Sequence, residues 1–358
     1  MQLITIINSS IITASILKVL FAGYFTRRQL THCDLIPMKK WLSLGLASLM
    51  FGCASHSEVA DTTSIEAAQP LSTMYDSTIQ SPQGQPLTLA QLATALKDAD
   101  IVLVGEWHGH PGAHLMQARL FAALYQQNPD MALSMEQFTR DKQHVVNQYL
   151  AGEIGEKTLI KEGKAWPNYS SDYRPLVEFA KANQLDVIAA NAPKSIVRCI
   201  GQQGEGYLDL LPATERKWVA EQLTLGDDAY HSKFNASMHH GDEEKTKRQF
   251  AAQTAWDDTM AESMVDYLAL HPGKQIIHVA GRFHVAEGLG TASRITARNP
   301  ELKVMLVTPV TEKANVAEGS PDYTFEVMPL PTAYVDKDKM KAAMNAIYGR
   351  NKGLKCYK

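Results

Sequence analysis

The sequence predicts an α/β fold: a parallel β-sheet flanked by helices, with a small all-helical domain inserted between the third and fourth core strands. Three observations predict it. Short unbroken apolar runs such as Ile101-Val102-Leu103-Val104 are bounded by polar or turn residues, the mark of strands buried on both faces. Stretches of helical periodicity alternate with those runs, the pattern of repeated βα units. The segment from Pro193 to Leu270 reads as helix without a convincing strand. Composition agrees: 358 residues, 45% hydrophobic and 20% charged, are too apolar for a disordered chain. With 35 basic and 38 acidic side chains the net charge is -3, and no basic stripe marks a nucleic-acid binder. Four cysteines exclude a disulfide-dense scaffold.

In chain order, Met74–Ile79 and Gln85–Thr88 flank Ser-Pro-Gln-Gly and read as a small leading hairpin. Leu89–Lys97 is a short helix. Ile101–Val104 is the first core strand, Gly112–Gln127 a helix that stops at Asn128-Pro129, and Met131–Met135 the second strand. The helix Pro175–Asn183 introduces the third strand, Asp186–Ala190. Pro193–Gln202, Ala213–Leu223 and Asp242–Leu270 are helical, and His231–His240 is a polar break. Gln275–Ala280 and Lys303–Val307 supply two more strands.

The N-terminus reads as an address. Met38-Lys39-Lys40, the apolar run Trp41–Gly52 and Cys53 make a signal peptide of the lipoprotein type, with Gly52 before the cysteine that takes the lipid. Met50 and Phe51 are less usual at their places in such a box. Residues 1–37 then come from translation upstream of the true start at Met38, or hold a membrane span at Leu3–Phe25. Ala54 after the cysteine points to the outer membrane, facing the periplasm. The resulting division is 1–37, signal peptide 38–52, lipidated Cys53 with a tether to 73, core domain 74–192 and 271–330, helical cap 193–270, and C-terminal tail 331–358. In an oxidising compartment Cys199 and Cys356 pair, or they stay as two free thiols.

Ligands of open α/β sheets sit beyond the carboxyl ends of the strands. There the sequence places Glu106, His108 and His110 after the first strand, Glu136 after the second, Asn191 after the third, and Arg282 and His284 after the fourth. Glu106 and His108 are two apart, so in extended chain they point the same way. Glu106, His108, Glu136 and His284 form a rim that suits a divalent metal or general-base chemistry. The plainer reading gives each histidine a structural hydrogen bond and makes Glu106 a helix cap. His114 falls on the first long helix, His278 in the core, and His239-His240 in solvent.

Gly105-Glu106-x-His108, Met135-Glu136, Trp166 followed by Tyr173-Arg174-Pro175-Leu176, Asn191-Ala192-Pro193 and Ala280-Gly281-x-x-His284-Val285 occur in an order and spacing that resembles the ChaN-like iron-regulated lipoproteins. Their wider superfamily includes Tiki-type metalloproteases and erythromycin-esterase-like proteins. The resemblance covers roughly Met74–Pro309, and the Arg282-Phe283 pair departs from it where an asparagine is more usual. It implies binding of ferric haem in bacterial iron acquisition by a homodimer that encloses two haems face to face, with an outer-membrane haem receptor as a further partner. It also implies a tyrosinate on each iron, and a histidine and a lysine of the other subunit on the propionates. Tyrosinate is a hard anionic ligand suited to ferric iron. Tyr207, at the entry to the helical cap, is the first choice for that role, with Tyr173, Tyr230 and Tyr169 behind it. His231 and Lys233 are the propionate candidates, followed by Arg216 and Lys217. Met238, Trp218 and Trp256 read as helical core. The alternative is a metal-dependent hydrolase using Glu106, His108, Glu136 and His284.

Overall fold

The structure, a computed structural model, describes residues 71–238, 242–349 and 353–358. The chain divides into two units, Met1–Asp61 and Thr62–Lys358, and every described residue lies in the second. Segment 1–37, the expected signal peptide 38–52, Cys53, nearly all of its tether and His239-His240 lie outside the described residues, as does the Met238 side chain.

The chain opens with the antiparallel hairpin β1 (Thr78–Gln80) and β2 (Pro86–Leu87). Helix α1 (Leu89–Leu96) starts on a reciprocal cap between Thr88 and Gln91 and is followed by β3 (Ile101–Glu106). Helix α2 (Pro111–Gln127) has proline in its first turn, where no amide partner is needed. After β4 (Met131–Thr139) come α3 (Gln143–Leu150), α4 (Glu156–Glu162) and α5 (Arg174–Ala182), then β5 (Asp186–Asn191). The helical stretch holds α6 (Lys194–Gln203), α7 (Ala213–Arg216), α8 (Ala229–Met238) and α9 (Glu243–Leu270). The chain ends with β6 (Gln275–Gly281), α10 (Arg282–Val285), α11 (Thr291–Arg298), β7 (Val304–Val310), β8 (Tyr323–Glu326) and α12 (Lys337–Gly349).

The strands form one sheet in the order β2-β1-β8-β7-β3-β6-β4-β5. From β8 to β5 all neighbours are parallel, while β1 pairs antiparallel with both β2 and β8. The sheet is therefore mostly parallel, with the leading hairpin added antiparallel to β8, a strand that the sequence reading lacked. Side-chain alternation splits the core in two. Val102 and Val104 face the layer of α1, α2 and α5, while Ile101 and Leu103 face Met260, Met264 and Leu268 of α9 and Ile295 of α11. Burying such aliphatic side chains stabilises the fold by roughly 1.5–3 kcal/mol each.

Two local expectations are corrected. His231–His240 is not a break: α8 runs through most of it, since Tyr230 and Phe234, four apart, bury one face against Phe250. Helix α7 stops at Arg216 instead of continuing to Leu223. The Arg216 guanidinium donates to the carbonyls of Val219, Ala220 and Glu221, satisfying acceptors that another helical turn would have used. The segment 193–270 is helical as expected, and its long helix also covers the sheet. Ala251, Ala252 and Ala255 of α9 pack with α6 and Tyr207, whereas Met260, Met264 and Leu268 of the same helix lie on the sheet.

Candidate functional site

Strands β3, β6 and β4 are neighbours, and their carboxyl ends set the rim. Glu106 pairs in register with Gly281, and Met135 with Val279, so Glu106, Glu136 and the turn into His284 emerge side by side. The four residues expected at the rim do converge.

Glu106 is buried and surrounded by donors. The Tyr173 hydroxyl donates to its Oε1 at 2.6 Å, Gln117 to its Oε2 at 2.9 Å, and Gln137 to Oε1 at 3.3 Å. His108 Nδ1 meets Oε1 at 2.8 Å. Burial alone would raise the Glu106 pKa, but the hydrogen bond from His108 and the charges beside it hold the carboxyl below its ordinary range. Burial likewise works against a charged His108, yet Glu106 and Glu136 outweigh it and raise its pKa. The His108 side chain stays 49% exposed, leaning on Trp166 with ring centroids 4.9 Å apart. A Cβ at Gly281 would lie 3.1 Å from its Cε1 and Nε2, so the ring sits close over this glycine and would have to shift slightly for any side chain there.

A second arrangement repeats the first. Asp257 of α9 is fully buried and accepts from the Tyr230 hydroxyl at 2.7 Å, from Thr291 at 2.8 Å and from Gln253 at 3.3 Å. His284 Nδ1 lies 2.9 Å from Asp257 Oδ1. Burial opposes its protonation, but Asp257 and Glu136 prevail and lift its pKa to about 9, so this imidazole is a cation at neutral pH. Desolvation would raise Asp257, and the His284 charge more than compensates and lowers it. Each tyrosine–carboxylate–imidazole set thus fixes one ring through Nδ1, leaving Nε2 for chemistry. Glu136 stands between them: it accepts the Gly281 amide at 2.6 Å and lies 3.8 Å from His284 Nε2.

The rim does not assemble the expected divalent-metal centre. No group of three or more His, Cys, Asp or Glu side chains among the described residues is disposed to hold a metal ion. The physical reason is that Glu106 is saturated by the donors of Tyr173, Gln117, Gln137 and His108, and His284 is turned to Asp257.

The remaining histidines have structural partners. His110, not Glu106, caps α2 by accepting from the Gly112 and Ala113 amides, and its Nε2 contacts the Met328 carbonyl at 2.7 Å. His114 lies on α2 against Gln117 and Asp172. His278 is buried beside Ser134, and desolvation pushes its pKa down to about 3, which keeps it neutral. Asn191 donates to the Glu136 carbonyl, and Arg282 donates to the carbonyls of Pro309 and Asn315 over the Trp107 ring.

The tyrosines separate. Tyr173 and Tyr230 are buried in the rim, and desolvation together with the carboxylate each one faces raises both phenols. Tyr169 is buried in the core. Tyr207 lies in another place, in a cluster with Ile196, Ile200 and Ala252, only 3% exposed. Its ring runs near-parallel to Tyr357, with centroids 6.4 Å apart, and Cys356 beside that tyrosine is joined by a disulfide to Cys199 of α6. His231 pairs with Asp227 at 3.0 Å, and Lys233 with Glu287 at 3.2 Å and the Ala286 carbonyl at 3.0 Å. Trp218 and Trp256 pack against the cores beside α9.

Sequence reasoning missed Asp257, Gln117, Gln253 and Thr291. One signal was available for Asp257: it and Asp258 stand consecutively within a helix among Ala255, Met260 and Ala261, where buried acids require partners.

Comparisons with known proteins follow this geometry. A family model described as haem-binding uptake, Tiki superfamily, ChaN matches residues 92–295. A solved structure whose title describes cofacial haem binding to ChaN of Campylobacter jejuni superposes with a TM-score of 0.56 at 17% identity, over 72% of this chain and 98% of that one, which supports the fold. A mutant of the erythromycin esterase EreC in its open conformation gives a TM-score of 0.41 at 13% identity over 76% of this chain and 88% of that one. Among curated proteins, RETICULATA-RELATED 5, chloroplastic, of Arabidopsis thaliana is 25% identical over 191 residues, 49% of this chain and 26% of that protein. The chain thus spans about a quarter of the length of that curated relative.

Proposed function

The chain belongs to the ChaN family of haem-binding uptake proteins in the Tiki superfamily, and from that premise we propose that it is a lipid-anchored haem carrier of the bacterial cell envelope. The match across residues 92–295 carries this reading, because it spans strands β3 to β6, the rim and the whole helical segment. In the proposal the anchor is Cys53 at the outer membrane, ferric haem is the cargo of iron acquisition, and two copies of the chain close over two haems.

The phenols do not all suit an iron-bound tyrosinate. Tyr173 and Tyr230 each donate to a buried carboxylate, so a phenolate there would face a like charge. Tyr207 has apolar side chains and the Tyr357 ring as its neighbours among the described residues, and we assign it the ligand role. In the state described its ring is covered. His231 and Lys233 remain the propionate candidates, on condition that they exchange Asp227 and Glu287 for the ligand.

The test is an absorbance titration with haemin on oxidised and on reduced protein. A saturable spectral change near one haem per chain, lost in Tyr207→Phe, is the expected result. No saturable change in either form overturns the reading. Sedimentation with and without haemin tests the dimer.

One observation favours a second reading. Two tyrosine–carboxylate–imidazole sets meet at Glu136, one imidazole cationic and the other open to solvent, as general acid–base hydrolysis requires. Turnover of activated ester probes that disappears in both His108→Ala and His284→Gln would support it. Parent protein inert toward such probes would remove it.

A further inference from the structure

The described end of the chain, residues 353–358, folds back onto the helical segment and covers Tyr207. Cys356 is bonded to Cys199 of α6. The Tyr357 carbonyl accepts from Gln203 Nε2 at 3.1 Å, and its hydroxyl donates to Glu215 at 2.7 Å. Leu354 and Cys356 pack on the cluster that holds Tyr207. The ring of Tyr357 itself stays 42% exposed, so it is the outer layer and Tyr207 the inner one.

Besides the disulfide, the cover is fastened by the partly buried Leu354 and by hydrogen bonds at the surface. Both Tyr357 hydrogen bonds are solvent-exposed, and such bonds contribute little net stability. Residues 337–346 of α12 are exposed apart from Ala343. A segment held by one covalent bond, one partly buried leucine and exposed hydrogen bonds is drawn from the low-stability end of a structure.

We propose that the Cys199–Cys356 bond is a redox latch that holds the Tyr357 tail over Tyr207, and that its reduction opens the ligand site. The inference rests on the assignment of Tyr207 made above. The co-reactant is a dithiol. One of its thiolates attacks a sulfur of the bridge, a mixed disulfide forms and the other cysteine leaves as a thiolate. The second thiol of the reductant then resolves the mixed disulfide. Two electrons and two protons pass to the protein: Cys199 and Cys356 end as thiols and the reductant as a disulfide. Oxidation by a protein disulfide reverses the exchange and closes the tail. Opening follows because the intramolecular tether is lost, and with it the high effective concentration that keeps Tyr357 in place.

The test uses the full chain in four forms: oxidised parent, parent after reduction, the Cys199→Ala/Cys356→Ala double variant, and Tyr357→Ala with its disulfide intact. The double variant has no thiol at these positions to bind iron by itself. Two readouts are taken: nitration of Tyr207 by tetranitromethane, located by peptide mass spectrometry, and titration with haemin. Apparent affinity scales with the open fraction, so haemin should bind at least about tenfold more tightly to the double variant and the reduced parent than to the oxidised parent. Tyr357→Ala should fall on the open side, and Tyr207→Phe in the double-alanine background should remove the gain. Tyr207 should be nitrated in the open forms and protected in the oxidised parent. Equal nitration in oxidised and open forms overturns the latch, as does equal haemin affinity. Protection that is lost on opening, with no haemin bound by any form, supports the latch as a cover and sinks the haem reading instead. Should the double variant fail to fold, reduction of the parent and Tyr357→Ala carry the same decision.

Discussion

The two tyrosine–carboxylate–imidazole sets of the rim share a wiring and differ in water. Tyr173–Glu106–His108 ends in an imidazole that is half open, whereas Tyr230–Asp257–His284 is closed, its imidazole 9% exposed. The difference lies in what carries the carboxylate. Glu106 ends a strand at the carboxyl rim of the sheet, so the residue two further on reaches the surface, while Asp257 sits mid-helix beneath α11. Closed wiring fixes a charge: removing water strengthens the Asp257–His284 attraction. Open wiring fixes an orientation and leaves the ring able to exchange protons with a ligand. Identical hydrogen-bond patterns can therefore serve stability in one place and chemistry in another.

The largest effect that would sharpen this contrast is expected from Asp257→Ala. It strands a buried cationic imidazole, and urea unfolding should show a loss of about 3–5 kcal/mol. A loss no greater than that of Glu106→Gln would break the contrast.

Next is the pH response. The folded-state His284 pKa of about 9 lies above its ordinary 6.5, so the stability it contributes is fully present below 6.5 and lost as pH rises through 9. That gap corresponds to on the order of 3 kcal/mol. Unfolding measured from pH 6 to 10 should decline in the parent and stay flatter in His284→Gln; parallel curves would refute the assignment. Asp257 acts with the opposite sign, its contribution being present above the usual carboxylate range and lost as pH falls.

Glu106→Gln should cost less, about 1–3 kcal/mol, because the amide sets a donor against Tyr173 or Gln117 while His108 turns to water. Gly281→Ala should be smallest, about 1 kcal/mol or below, since the half-exposed His108 ring can yield to a new Cβ. Its signature is a displaced His108 resonance in NMR titration with the His284 titration unmoved; both moving together would show that the two sets are one unit.

Much of this fold was legible in the sequence. The strand Ile101–Glu106, the helix Pro111–Gln127 and the long helix Glu243–Leu270 each announce themselves within their own residues. Helix α8 was hidden because Tyr230 and Phe234 are its only strong apolar pair among polar residues, and its burial comes from Phe250 of another helix. Strand β8 was hidden because four residues carry no period, and pairing with β1 and β7 makes it a strand. At the rim, Glu106, His108, Glu136 and His284 could be found because each follows a readable strand. Asp257 could not be assigned its partner, because the hydrogen bond to His284 depends on how α9 seats against the sheet.

By itself the sequence determined the succession of buried strands and covering helices, and so which residues meet at the carboxyl edge, because apolar periodicity and turn chemistry act over a few neighbouring residues. Tertiary structure alone decided that Tyr173 and Tyr230 would serve as donors to buried acids, that one imidazole would be sealed and charged, and that a tail closed by Cys199 and Cys356 would lie over Tyr207. Those outcomes depend on register, close packing and excluded water between segments remote in the chain, where a hydrogen bond to a charge is strong and its absence costly.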